Sequence, residues 1–218
     1  MNKIVPIKPL LIMLYGYPGS GKSYVARQLT GHIQAVHVQG ERIRYELFEQ
    51  PRYDKQENAV IAQLMNYMTQ EFLAAGISVI YDTNSSRAAQ RHMLRDLARR
   101  LKTQPLVIWL QIDAESSFLR TQQRDRRKAD DRFSGTIDRT TFDTILSHMQ
   151  NPTNAEDYVV ISGKHVFSTQ LSAILKKLND LNLLRVEDVN SGVAKPELVN
   201  LIPNSGRVDL KRRNIVIR

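Results

Sequence analysis

The residues with the plainest chemical purpose are Gly16-Tyr17-Pro18-Gly19-Ser20-Gly21-Lys22-Ser23, directly after an apolar run. The spacing G-x-x-x-x-G-K-S needs its glycines because the backbone must curl until its N–H groups point inward at phosphate oxygens. Lys22 then reaches the β- and γ-phosphates, Ser23 holds Mg²⁺, and the next helix presents its positive N-terminus. Gly16, Pro18, Gly19, Ser20, Gly21, Lys22, Ser23 and Tyr24 are therefore the expected phosphate cradle. A chance glycine turn would lack the apolar strand before it and the helix after it. The loop does not decide where the phosphoryl group goes: to a hydroxyl, to water in a switch, or to water in a motor.

Two further stretches carry acids where α/β sheets place ligands, beyond the carboxyl ends of strands. "QGERIRYELF" puts Glu41 and Arg44 three residues apart at a helix start. "DTNSSRAAQR" puts Asp82 at a strand end, followed by Thr83, Asn84, Arg87 and Arg91. The plain alternatives are first-turn helix charges and an ordinary turn aspartate. A third stretch, "SSFLRTQQRDRRKADDR", offers Arg120 and Arg124 on one helix face, with Arg126, Arg127 and Arg132 as lesser candidates. Phosphoryl transfer gathers charge on equatorial oxygens, and arginines on a lid would neutralise it. A solvated helix face is the alternative.

The elements that must position these groups alternate. Strands are expected at 10–15, 33–38, 77–81, 105–112 and 157–162, the first a continuous apolar run suited to burial on both faces. Helices are expected at 22–29, 53–75, from a cap at Ser85 or Ser86 to about 102, and at 115–128, 142–149 and 168–184. That alternation predicts an α/β fold: a parallel five-stranded sheet with helices on both faces. A domain spans 1–184, its lid lies at about 115–140, and 185–218 reads as a C-terminal β-hairpin or arm around Asn204-Ser205-Gly206.

The composition narrows the class. The chain has 218 residues, no cysteine and a formal charge of +9. Without cysteine there is no disulfide, thiol nucleophile or thiolate metal site. No apolar run reaches membrane-helix length, so a soluble, cytoplasmic protein with no membrane partner is expected. Arg87, Arg91, Arg95 and Arg99 step by four opposite Met93, Leu94, Leu97 and Leu101. That stripe either tracks a nucleic-acid backbone or is the wet face of an amphipathic helix. The five histidines lack ligand spacing and read as structural, and Trp109 reads as core.

"GYPGSGKSYVAR", "GERIRYEL" and "VIYDTNSSRAAQR", with "NPTNAEDY" further on, resemble the P-loop kinases related to the phage polynucleotide 5′-hydroxyl kinase and the zeta toxins, often filed as AAA-type predicted kinases. The resemblance covers about 10–162. It implies ATP and Mg²⁺ as cofactors and Glu41 as general base, where the family usually has Asp, with Asp82 as the alternative base. It also implies Arg44 on substrate or phosphate, Asp82 behind the metal, Thr83 on the substrate side, and Arg120 and Arg124 as the lid pair. Asn84, Arg87 and Arg91 complete the expected substrate contacts. A switch GTPase would need an N-K-x-D element after the fourth strand, and a motor would need a further helical domain. A kinase is the expectation, with a polynucleotide 5′-OH as acceptor on the strength of charge, stripe and "DTN". The alternatives are a small metabolite, nucleoside or nucleotide-sugar in the manner of the zeta toxins, or an ATPase with no acceptor.

Overall fold

The computed structural model describes residues 3–125, 127 and 131–185. Five strands, β1 (Leu10–Tyr15), β2 (Ala35–Gln39), β3 (Ser78–Asn84), β4 (Gln104–Gln111) and β5 (Tyr158–Ser162), form one sheet in the order β2-β3-β1-β4-β5. Every pairing is parallel. The helices are α1 (Lys22–His32), α2 (Gly40–Leu47), α3 (Lys55–Ala74), α4 (Ala88–Arg100), α5 (Ala114–Gln122), α6 (Arg139–Ser147) and α7 (Phe167–Asp180).

All six residues of β1 are buried because it is the central strand and both of its faces are covered. Leu10, Ile12 and Leu14 pack with α1 and α7 around Val25, Leu29, Ile174 and Leu178. Leu11, Met13 and Tyr15 face the opposite way, into a core with Ile61, Met65 and Leu73 of α3 and Leu94 of α4. Alternate side chains of a strand point to opposite faces, so one apolar run serves two cores. Truncating a residue such as Ile12 to alanine would cost about 2–5 kcal/mol. The chain crosses β1 in going from β3 to β4, so the crevice beyond the carboxyl end of β1 is where a ligand fits.

Several boundaries differ from the sequence expectations, each for a local reason. β3 runs on to Asn84, so Asp82 and Thr83 belong to a strand, at a register shift opposite Met13 and Leu14. Such irregularities re-aim side chains. Neither Ser85 nor Ser86 caps α4; its first amide, Ala88 N, donates instead to Gln150 Oε1 at 2.7 Å. α3 starts at Lys55 because Asp54 accepts from Glu57 N, at 2.8 Å. α5 ends at Gln122, so Arg120 and Arg124 do not share a helix face. Among the described residues, no helix is long and apolar enough to cross a membrane. The arm expected over 185–218 lies, Arg185 apart, outside the described residues, as does Arg126.

Candidate active site

The loop between β1 and α1 curls as its glycines require. Gly19 and Gly21 adopt left-handed φ values of 86° and 97°. A Cβ on Gly19 would lie 2.2 Å from the Ser117 carbonyl oxygen, because α5 packs directly on the loop and Ser117 Oγ donates to Pro18 O at 2.7 Å. Lys22 Nζ donates to the carbonyls of Gly16 and Tyr17, both at 2.8 Å. Burial pulls its pKa down to about 7, with Asp82 opposing the fall and Arg124 adding to it. The loop, from Gly19 to Tyr24, borders a cavity of about 470 Å³ whose far wall carries Arg120, Arg124 and Lys164. Gly19 to Tyr24 of the expected cradle and the two expected lid arginines thus share one space, whereas Gly16 borders another.

Asp82 lies at the base of the loop, 5% exposed. Its Oδ1 accepts from Ser23 Oγ at 3.2 Å and its Oδ2 contacts His37 Nε2 at 2.8 Å. His37, expected to be structural, is therefore part of the site. β2 pairs Gln39 with Asp82, which puts His37, two residues earlier, on the same sheet face. Only the strand register exposes that relation. Thr83 and Asn84 are half-buried beside Asp82, and Asn84 Oδ1 is buried without a partner. Arg87 is exposed at the start of α4.

Glu41 opens α2. Its Oε2 accepts from the Tyr53 hydroxyl at 3.0 Å and lies 3.7 Å from Arg44 Nε. Burial raises its pKa; the Arg44 charge and the Tyr53 hydrogen bond pull it back, Asp82 adds to the rise, and Arg124 again opposes it. Arg124 thus lies within electrostatic reach of both Lys22 and Glu41, and Asp82 is felt by both as well. Tyr45 of α2 touches Phe133 of the segment between α5 and α6, ring centroids 6.0 Å apart. That contact ties the expected lid to the helix bearing the acid.

Two expected substrate contacts are occupied elsewhere. Arg44 is 5% exposed, paired with Glu57, bonded to Asn58 Oδ1 at 2.7 Å and stacked on the Tyr53 ring at 4.4 Å. It supports Glu41 from behind. Arg91 is fully buried, bidentate on Glu156 at 2.8 and 3.1 Å, with further bonds to the carbonyls of Ser85 and Asn151. Arg95 donates to Ala155 O and Arg99 to Asp96. The arginine stripe is not a purely wet face: Arg91 turns inward, while Arg87 and Arg99 are exposed. Arg120 donates to Gly163 O at 2.9 Å, and Arg124, two residues past α5, to Gly135 O. Trp109 packs half-buried against the core and borders, with Tyr15 and Tyr17, a second cavity of about 560 Å³.

A curled loop after a central parallel strand, its lysine inward and an acid of the neighbouring strand against its serine, defines a P-loop nucleotide-binding protein. The chain belongs to the family described as AAA domain, whose model matches residues 11–152. Solved structures of similar fold include a gluconokinase from Sinorhizobium meliloti 1021, with a TM-score of 0.57 at 18% identity, covering 79% of this chain and 93% of that one. Kti12 from Chaetomium thermophilum, in complex with ADP-AlF3, gives 0.55 at 17%, covering 76% and 99%. The APS kinase of Mycobacterium tuberculosis, in complex with AMPPNP and APS, gives 0.51 at 16%, covering 79% and 98%. None of the curated proteins matches the sequence. The fold is that of P-loop kinases.

Proposed function

We propose that the chain is a kinase that passes the γ-phosphoryl group of ATP to a hydroxyl of a small metabolite, nucleoside or nucleotide-sugar. The observation that carries this reading is that an acid, Glu41, and the loop lysine both lie within reach of the same two groups, Arg124 and Asp82. In the proposed step Glu41 takes the acceptor's proton as its oxygen bonds to the γ-phosphorus. The bond from that phosphorus to the bridging oxygen breaks, and its electron pair leaves with ADP. Lys22, Arg120 and Arg124 supply positive charge for the equatorial oxygens, work that needs no covalent help from the protein.

Ser23 Oγ and Asp82 Oδ1, 3.2 Å apart at the loop, are hard oxygen donors that fit Mg²⁺. No group of three or more acids or histidines among the described residues could cage an ion. A magnesium site completed by phosphate and water suits that donor set. Mg²⁺ would neutralise charge on the phosphates when bound.

A small acceptor is favoured over a polynucleotide end because Arg91, Arg95 and Arg99 are occupied by internal partners. The gluconokinase and APS kinase of similar fold favour it too. The test offers ATP labelled at the γ-phosphate to three separate sets: hexoses and hexonates, nucleosides, and nucleotide-sugars. A 5′-hydroxyl oligonucleotide forms a fourth arm. Label on a small molecule supports the proposal. Label on the oligonucleotide alone, or only free phosphate in every arm, contradicts it.

A further inference from the structure

Tyr53 has no part in the motifs above, yet it is the residue most closely applied to Glu41. Its hydroxyl and the Arg44 guanidinium both engage Oε2. Both contacts fall on the same oxygen of the carboxylate. We infer that Tyr53 is a positioning residue of the transfer site, holding one oxygen of Glu41 so that the other is presented to the acceptor hydroxyl. The inference rests on Glu41 being the base of the proposed reaction.

Three observations support it. First, the backbone of Tyr53 is left-handed, with φ at 59°. For a residue with a bulky side chain this costs about 1–2 kcal/mol, and strain of this kind persists only where its surroundings impose it. Here they do: Asn58 Nδ2 donates to Tyr53 O at 3.0 Å, and Asp54 caps α3 in the next position. Second, the Tyr53 ring lies over an arginine that Glu57 and Asn58 already hold, so the hydroxyl projects from a fixed platform. Third, Tyr53 is 46% exposed and the Glu41 side chain 43%, so the pair is open to an arriving molecule.

The physical need is plain. A glutamate has three side-chain torsions, and a freely rotating carboxylate presents a usable lone pair for only a fraction of the time. A general base must lie within hydrogen-bond reach of the proton it takes. Anchoring Oε2 leaves a single defined position for Oε1. Burial, hydrogen bonding with Tyr45 and the Glu41 charge all raise the Tyr53 pKa, so the phenol stays protonated and remains a donor.

If Tyr53 were only a lid over Arg44, phenylalanine would serve equally well. The hydroxyl makes the difference measurable. The groups that face Glu41 are Arg44 on its own helix, Tyr53 from the loop before α3, Asp82 from β3 and Arg124 from the lid segment. Tyr53→Phe removes the hydroxyl donor and leaves the charges of Arg44, Asp82 and Arg124 in place.

The experiment is a ¹³C NMR titration of the Glu41 carboxyl carbon in the full chain, assigned by its absence in Glu41→Gln. Three forms are compared: wild type, Tyr53→Phe, and the chain with 3-fluorotyrosine at position 53, a stronger donor. The expected order of Glu41 midpoints is Phe above Tyr above fluorotyrosine. Phe should bind the Glu41 proton on the order of tenfold more tightly than Tyr, as a hydrogen bond to a charged group implies. The fluorotyrosine form keeps the native ring, so a fold disturbed by phenylalanine does not blunt the test. Equal midpoints in all three forms overturn the inference and leave the proposed reaction standing. A Glu41→Gln chain that still transfers phosphate overturns the reaction itself, and with it Tyr53's place in it.

Discussion

Replacing Arg91 by methionine separates a structural arginine from a ligand-binding one. In the structure its guanidinium makes four hydrogen bonds, two to Glu156 and two to backbone carbonyls, and its side chain is 0% exposed against 5% for Glu156. Removing it leaves a buried carboxylate whose remaining hydrogen bond among the described residues is from the Thr153 amide, at 3.3 Å, with the Arg95 charge nearby. Breaking one half of a buried pair costs about 3–5 kcal/mol, a large part of the 5–15 kcal/mol typical of a whole domain. For a chain of this size that lowers the Tm by about 6–20 °C. The deficit should shrink as pH falls. In the wild type burial would raise the Glu156 pKa, but the Arg91 hydrogen bonds and charge hold it low. The stability it contributes is therefore present above the ordinary carboxylate range and lost as pH falls through its lowered folded value. In Arg91→Met the unpaired, buried Glu156 has a raised pKa, so the variant recovers stability as it takes up a proton. Arg91→Met with Glu156→Leu should regain most of the loss, since no charge is then stranded. Thermal melts at pH 7 and pH 5, with ATP affinity measured by calorimetry on the folded chains, decide the matter. ATP affinity should stay within about twofold, because among the described residues the pair bonds to none of the phosphate loop, Arg91 reaching only the Tyr15 ring before it. An Arg91→Met chain that melts with the wild type but binds ligand poorly would refute the assignment.

Other perturbations address the loop and the lid. Because burial brings Lys22 to about 7 in the free protein, binding of the triphosphate should restore its charge. ATP binding at pH 8 should then take up ~1 proton and almost none at pH 6, read from calorimetry in buffers of different ionisation enthalpy. By the same shift, between about 7 and the ordinary lysine range the unfolded chain holds more protons, so this group makes stability rise with pH in urea melts over that window. Gly19→Ala meets both a left-handed φ and the Ser117 carbonyl; it should lose stability by more than the ~1–2 kcal/mol of backbone strain alone and bind ATP weakly. Gly31→Ala, with nothing within 4 Å, should be neutral or stabilising in the same melts. Arg124→Ala should slow label transfer on the order of a hundredfold or more while leaving ATP bound, as the loss of a transition-state charge does.

How much was legible depended on whether a feature was local. β1 announced itself because burial on both faces forces an unbroken apolar run, and the phosphate loop because its glycines answer to backbone geometry. Asp82 was found from its place after a strand, but not its strand membership, since "DTN" has none of the apolar signal that marks the rest of β3. The cap of α4 comes from Gln150, 62 residues away, and the partner of Arg91 lies 65 residues away. A four-residue arginine period cannot tell a solvated face from one with a single residue turned inward to a distant acid. Arg44 failed for a related reason: three residues from Glu41 it suited a ligand, yet Glu57 and Asn58 of α3 claim it. His37 and Tyr53 carried no motif at all. Their relation to Asp82 and Glu41 follows from strand register and from a loop conformation, neither of which is written in residue spacing.

The central claim, an acid at position 41 serving a triphosphate gripped by the loop, meets its most direct test in Glu41→Gln, a change that keeps shape and removes basicity. ATP affinity by calorimetry should match the wild type, while label transfer to the acceptor that the wild type uses should fall on the order of a hundredfold or more. Transfer at the wild-type rate in that variant would contradict the account.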